Sequence, residues 1–145
     1  MSTAAIIELA DAIATDLNEY GFSKPFDARR RWLPIFDREQ LTTIQVCIVP
    51  RGEVTVRSSR SQWQSDYRIE IGIQRHVKSD NQPEIDDLAY LSQEIFDRYD
   101  STRPGTRKEA LIGREWPNVI SAENLDEGRV FASFQTLTFR GWRDL

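Results

Sequence analysis

The chain has 145 residues, a net charge of −4 and a pI of about 5.1. This length fits one domain with its own core, so we expect a single domain over residues 1–145. The single cysteine, Cys47, excludes an internal disulfide, and the single histidine, His76, leaves no basis for a cysteine- or histidine-rich metal site. The acidic balance argues against general binding of nucleic acid, and we expect neither a secretory signal nor a membrane span.

Residues 4–20 are predicted to form the first helix. Their apolar residues recur at spacings of three and four, as on the buried face of an amphipathic helix. Strand-like segments follow at residues 26–33, 42–49 and 53–57. Pro50 is expected to end the second of these strands or to place it at a sheet edge, because proline lacks an N–H.

Residues 62–77 show the clearest strand pattern. Apolar residues alternate with polar ones through the segment, which is typical of an antiparallel strand with one face in water. The side chains expected to pack under the helices are Trp63, Tyr67, Ile69 and Ile71. Because the strand is long, Gly72 indicates a bend or bulge.

The C-terminal half contains one clear helix, at residues 83–99. Pro83 suits its first position, and Glu84 complements the positive end of the helix dipole. A short strand is expected around residues 118–121. Residues 128–142 are strand-like, but their apolar residues change parity, which indicates a bulge or burial of both faces.

Together these elements predict an α+β fold. We expect a mostly antiparallel sheet of four to five strands with two helices packed on one face. Residues 51–61 are expected to form a hairpin loop that projects from the sheet, since a serine-rich tip joins two strands. Few of its side chains could anchor it within one subunit, so we expect it to be mobile until a neighbour binds it.

No cluster of residues indicates catalysis. His76 has no evident orienting carboxylate, and Cys47 lies in an apolar strand without a nearby histidine. Asp86 and Asp87 are adjacent, so on a helix they diverge by about 100° and cannot share a substrate. The scattered glycines form no phosphate-binding motif. We therefore expect no enzymatic activity, no catalytic residue, no cofactor and no bound metal.

Basic segments at residues 29–32 and 51–61 are the candidate contact surfaces. In the first, three arginines stand beside Trp32 and could follow a phosphate backbone, although alternation along a strand separates them onto two faces. In the second, arginines on a projecting loop oppose the overall negative charge, which favours association between copies of the chain. The candidate interface residues are Arg29, Arg31, Arg51, Val54, Val56, Arg57 and Arg60.

The order of these elements resembles the tail-terminator and tail-completion proteins of long-tailed, lambda-type bacteriophages. The segments that carry the resemblance are the helix at residues 4–20, the alternating strand at 42–49, the Trp-Gln-containing strand at 63–71, the acidic-start helix at 83–99 and the C-terminal strand at 133–139. Together they extend over almost the whole chain. Residues 102–125, which include Trp116 and Pro117, are longer than the family pattern.

The resemblance implies a structural virion protein that forms a hexameric ring at the head-proximal end of the tail tube. Such a ring stops tail polymerisation and provides the head–tail joining surface. Its implied partners are the tail tube protein and a head-completion or neck protein, with genomic DNA passing through the lumen without sequence-specific binding and no membrane contact. It would be made in the host cytoplasm and reside in the virion, at the head–tail junction. The alternatives are another connector or neck protein, or a cytosolic module that binds nucleic acid or a partner protein through residues 29–32.

Overall fold

The computed structural model describes residues 3–78, 81–100 and 102–144. In chain order, the elements are α1 (Ala5–Glu19), β1 (Asp27–Arg30), a 3-10 helix (Gln40–Thr42), β2 (Gln45–Arg57), β3 (Gln62–His76), α2 (Gln82–Asp97), β4 (Ala110–Glu115), α3 (Ala122–Gly128) and β5 (Val130–Asp144). The two long helices predicted from the sequence are confirmed, and α3 is a short third helix that the sequence analysis did not predict.

A five-stranded sheet in the order β1-β2-β3-β5-β4 forms the centre of the fold. The four strands from β2 to β4 in this order pair antiparallel, whereas β1 runs parallel to β2. The α+β class is therefore confirmed, and the sheet is mixed. The parallel pair is possible because residues 31–44 are long enough to return the chain from the end of β1 to the start of β2.

The hydrophobic core lies between one face of the sheet and the helices α1 and α2. Its buried members include Leu9, Ile13 and Leu17 of α1, Leu88, Leu91 and Ile95 of α2, and Tyr67, Ile69, Ile71 and Ile73 of β3. The predicted buried face of β3 is confirmed from Tyr67 onward. Trp63 was expected in the same core but has 36% of its surface exposed, because the first residues of β3 extend past the core.

Asp16 links the two long helices. Its carboxylate accepts hydrogen bonds from the Arg98 guanidinium at 3.0 and 3.2 Å and from the Tyr99 hydroxyl at 2.7 Å. Burial and the bond to Asp16 raise the pKa of Tyr99, so its phenol stays protonated and remains the donor. At the start of α2, the Asn81 side chain accepts a hydrogen bond from the Glu84 N–H at 3.3 Å and caps the helix.

Residues 31–44 cover part of the sheet face opposite α1 and α2. The Gln74 side chain donates to the Pro34 carbonyl at 2.9 Å and thereby holds this connection on β3. Burial on both faces explains the parity change in β5, where the neighbouring residues Phe131 and Ala132 are both buried. Since β5 pairs with β3 without a register shift, no bulge is involved there.

The bulge expected at Gly72 is absent, and of the two outcomes expected at Pro50 only one holds. β3 keeps its register at Gly72, where a Cβ would lie 2.8 Å from both Cys47 Sγ and a ring carbon of Phe134. Close packing, and not a bulge, therefore requires glycine at this position. β2 continues through Pro50, and its register shifts between Pro50 and Gly52. The bulge takes up the extra residue, so the strand does not end at the proline. Pro50 lies instead at the sheet edge, the other expected outcome, because β1 pairs with β2 no further than Ile48.

The segment before β5 differs most from the prediction. The expected strand at residues 118–121 is absent from the described ladder pairs, and strand β4 precedes this position while α3 follows it. The Ser121 side chain accepts a hydrogen bond from the Asn124 N–H at 3.3 Å and caps α3. The Ser121 N–H also donates to the Ala132 carbonyl at 2.9 Å, so one bond rather than a strand joins this segment to β5.

Candidate functional site

The three central strands continue past the core as a projecting ribbon, here called the flap, which comprises residues 52–57 of β2, 62–66 of β3 and 140–144 of β5. Only Ser65 and Gly141 in it are buried. β1 pairs with β2 no further than Ile48, and β4 pairs with β5 no further than Arg140. Among the described residues, both outer edges of the flap therefore lack a neighbouring strand.

Three large apolar side chains lie exposed on one face of the flap. The strand register places Val54, Asp66 and Arg140 in one row and Val56, Gln64 and Trp142 in the next. Residues directly opposite one another point to the same side of a sheet. Val54, Val56 and Trp142 are 63%, 50% and 54% exposed. We call this surface the flap face.

The flap face points away from α1 and α2. Along β3, Tyr67 and Ile69 point into the core, so Asp66 points to the opposite side. The bulge between Pro50 and Gly52 sets the parity of β2, because without it Val54 would turn toward the helices. The prediction that Val54 and Val56 share one side of the chain is confirmed.

Ion pairs neutralise the polar groups beside these apolar side chains. Arg140 donates two hydrogen bonds to Asp66, at 2.8 and 3.1 Å, and these bonds lower the pKa of the Asp66 carboxyl. Arg51 makes a similar bidentate interaction with Glu70, donating hydrogen bonds of 3.1 and 2.9 Å. The carboxylates are therefore satisfied within the subunit, and the apolar side chains are the groups that a partner would cover.

The side of the flap that faces the helices holds the ribbon together. Arg143 reaches across β3 and donates to the Glu53 carboxylate at 2.8 Å. The Thr55 and Ser65 hydroxyls share a hydrogen bond of 3.0 Å. Residues 51–61 are thus mainly paired strand, and only residues 58–61 form the turn. The projecting hairpin is confirmed. Its mobility in a free subunit was only a prediction, and these cross-strand bonds argue against it.

The predicted interface residues fall into two groups. Arg51, Val54, Val56, Arg57 and Arg60 all belong to the hairpin, where the Arg57 guanidinium lies 5.9 Å from the centre of the Trp63 ring. Arg29 and Arg31 lie in or directly after the outer strand β1, where Arg29 pairs with Cys47 of β2. At roughly 3.3 Å per residue, the length of β2 places the tip of the flap on the order of 30 Å from Arg29 and Arg31.

The arginines near β1 are engaged within the chain. Arg29 binds Asp27 and Arg30 binds Asp11, each at 2.7 Å. Arg31 donates to the Ile35 carbonyl, and its guanidinium also lies 4.3 Å from the centre of the Phe36 ring. Arg30 turns toward α1 while its neighbours do not, so the three cations form no common surface.

Sequence reasoning missed two parts of the exposed apolar surface. Trp142 was placed in a strand but not at a contact surface, although its parity relative to the core residue Phe139 could have indicated an outward side chain. Trp32 was considered with the arginines, but Leu33 and Ile35 were not singled out. Trp32, Leu33 and Ile35 are 59%, 61% and 65% exposed. An apolar run without helix or strand periodicity was the available signal.

The Cys47 thiol is buried and is not activated. Burial raises the pKa of the Cys47 thiol to about 11, which is opposite to what a nucleophile requires. A cavity of about 520 Å³ beside α1 contains Arg107, which is paired with Glu109 and, at 3.4 Å, with Glu8. No group of three His, Cys, Asp or Glu side chains in the described ranges could hold a metal ion.

No family model matches the chain, and no curated protein matches it. No helix within the described part of the chain combines the length and the apolar character that crossing a membrane requires. The flap face is the most distinctive feature of the exposed surface.

Proposed function

We propose that this chain is a structural subunit that assembles with copies of itself through the flap. The flap face carries the proposal, because it presents Val54, Val56 and Trp142 on a projecting ribbon with two open edges. Contiguous exposed apolar surface and unpaired strand edges both favour association with another chain. Tryptophan is also enriched among the residues that contribute most to binding energy at interfaces.

The flap suits this role because it is held in shape before any partner arrives. The Asp66–Arg140 pair ties β3 to β5, and Arg143 ties β5 to Glu53 of β2. A surface that is already ordered loses less conformational entropy on binding than a loop that must fold against its partner. This property supports a role in assembly and not merely a flexible connection.

The particular assembly that we propose is the ring of a phage tail terminator. It would be a hexameric ring at the head-proximal end of the tail tube, contacting the tube protein on one side and a neck protein on the other. In the virion, genomic DNA would pass through its lumen. Support comes from the element order: α1, the long strand β3, α2 and the C-terminal strand β5 occupy the segments that carry the resemblance to that family.

A nucleic-acid module built on residues 29–32 has less support. Arg29, Arg30 and Arg31 each bind a group of this chain and point to different sides. A neck or connector protein is the closer alternative, since it would use the same kind of subunit contact. Tail tubes distinguish the two, because only a terminator caps the end of a tube.

The test compares the purified protein with Val54→Ser/Trp142→Ser by sedimentation velocity. We expect the unmodified chain to assemble and the variant to remain monomeric with an unchanged melting curve. Tyr90→Ser is the control, because Tyr90 is 56% exposed on α2, outside the flap. Electron microscopy with tail tubes should then show rings at tube ends. The proposal is overturned if the unmodified chain is monomeric or if the flap variant assembles normally. Rings that form but do not bind the ends of tail tubes would favour a connector protein.

A further inference from the structure

A second exposed apolar surface lies in the connection between β1 and β2. Its members are Trp32, Leu33 and Ile35, at 59%, 61% and 65% exposure, and we call it the Trp32 patch. The patch lies outside helices and strands, yet backbone and side-chain bonds hold it in place. The Arg31 N–H donates to the Ile48 carbonyl at 2.9 Å, and the Arg31 guanidinium binds the Ile35 carbonyl. A fixed apolar surface of this kind is a candidate contact site.

Two carboxylates beside the Trp32 patch have no ion-pair partner among the described residues. Asp37 and Glu39 are both exposed and follow the patch directly. Neither carboxylate makes an ion pair or a side-chain hydrogen bond with the described residues. Arg38 stands between them and likewise has no side-chain partner in the described ranges. The Arg31 guanidinium, which binds the Ile35 carbonyl, and the Arg30 guanidinium, 5.5 Å from the centre of the Trp32 ring, also border this surface.

Besides the ion pairs Asp66–Arg140 and Arg51–Glu70, charges without a partner among the described residues border the flap face, and these are mainly positive. Arg60 at the turn and Arg68 at the base of the flap are exposed, and neither guanidinium has a side-chain partner within the described ranges. Asp144 at the end of β5 is the unpaired anion on the same side. Two unpaired guanidiniums therefore border the flap face, and they could meet the two unpaired carboxylates beside the Trp32 patch.

We propose that the flap face of one copy docks on the Trp32 patch of the next copy. This inference rests on the proposed self-assembly and specifies its geometry. Apolar side chains would meet at the centre, with a tryptophan from each side, and opposite charges would meet at the rim, as in stable protein interfaces. A flap-to-flap contact would instead place Arg68 of both copies at one interface, where like charges repel.

A contact between two different surfaces is heterologous. Each copy then offers one flap and one patch, so addition of subunits continues until a rotation closes a ring. A contact of one surface with itself would stop at a dimer. The pairing of two unlike surfaces on one chain therefore accounts for how a ring can be built from a single kind of subunit.

Charge reversal tests the pairing directly. We compare Asp37→Arg/Glu39→Arg with Arg60→Glu/Arg68→Glu, each alone and in an equimolar mixture, by sedimentation velocity at low salt. Each variant alone should associate about tenfold or more weakly, because like charges meet at every interface. The mixture should regain assembly, since both of its alternating interfaces again join opposite charges. Circular dichroism melting of each variant checks that the fold is intact.

Variants of the apolar residues give an independent test. Leu33→Ser/Ile35→Ser lacks the patch, whereas Val54→Ser/Trp142→Ser lacks the flap face. Mixed together, they retain one intact interface per pair and should stop at a heterodimer. If the chain assembles but the patch variant and each charge-reversed variant alone behave like the unmodified protein, this inference is wrong and the proposed function stands. If Leu33→Ser/Ile35→Ser forms flap-to-flap dimers, it is wrong as well. If the unmodified chain is monomeric throughout, both proposals fail.

Discussion

At Gly72 a single hydrogen atom replaces a side chain for which the sheet leaves no room. A Cβ there would lie 2.8 Å from Cys47 Sγ and from the Phe134 ring, closer than carbon atoms pack. Both neighbours stand on the strands that flank β3, and the Cys47 side chain is fully buried, so a Cβ would have to displace packed atoms. The glycine therefore brings three strands together on the face opposite the long helices.

Replacing Gly72 with alanine should accordingly destabilise the protein by about 1–3 kcal/mol, as overpacking of a core does. Gly52→Ala is the matched control, because nothing lies within 4 Å of a Cβ at that position. We expect the control to change stability by less than about 0.5 kcal/mol. Urea unfolding of both variants, followed by circular dichroism, measures the difference. Equal midpoints for the two variants would contradict the packing described here.

Residue-level features of the site were only partly predictable. Val54 and Val56 could be assigned to one side of a strand because alternation is a local property. That they share their face with Trp142 depends on the pairing of β3 with β5, which joins residues far apart in sequence. The Asp66–Arg140 ion pair depends on the same register, so it cannot be predicted from local sequence patterns.

At the scale of elements, long periodic segments were predicted well and short ones were not. α1, α2 and β3 repeat their pattern over several turns or pleats, and their burial follows that pattern. α3 spans seven residues and contributes no fully buried side chain among those described, so no periodic pattern of apolar residues predicts it. β2 was predicted as two pieces because proline is disfavoured within a strand. The bulge that keeps β2 continuous is defined by its pairing with β3, which the pattern of β2 alone does not show.

The flap should be separable from the core. Replacing residues 53–60 with a short Gly/Ser link removes exposed strand and the Arg143–Glu53 ion pair, which at the surface contributes about 0–1 kcal/mol. We expect the core sheet to keep its circular dichroism and the melting temperature to fall by only a few degrees. Assembly should be lost, because the flap face no longer exists.

Replacing Thr102 and Arg103 by Gly and Ser is the control for this experiment, since both are exposed and lie outside the flap. Sedimentation velocity reports assembly, and thermal melting reports the fold. A link variant that unfolds would show that the flap belongs to the core sheet. A link variant that still assembles would show that copies meet elsewhere.

On the scale of the whole molecule, the distribution of charge matters more than its sum. The net charge of −4 makes copies repel one another at long range. In the proposed contact, the arginines near the flap and the carboxylates near the Trp32 patch, all unpaired among the described residues, would act against this repulsion at short range. Association should therefore combine an apolar centre with a rim that responds to ionic strength.

Salt provides the last test. Raising NaCl from about 0.05 M to about 0.5 M shortens the Debye length from roughly 14 Å to roughly 4 Å, which screens exposed charges but leaves apolar contacts in place. We expect the unmodified chain to associate more weakly at high salt. Arg60→Ala/Arg68→Ala should associate more weakly at low salt and respond less to added salt, because the rim cations are gone. The variant Val54→Ser/Trp142→Ser should associate weakly at both salt concentrations. Sedimentation velocity at the two concentrations measures this, and equal salt responses of the unmodified chain and the arginine variant would show that these cations lie outside the interface.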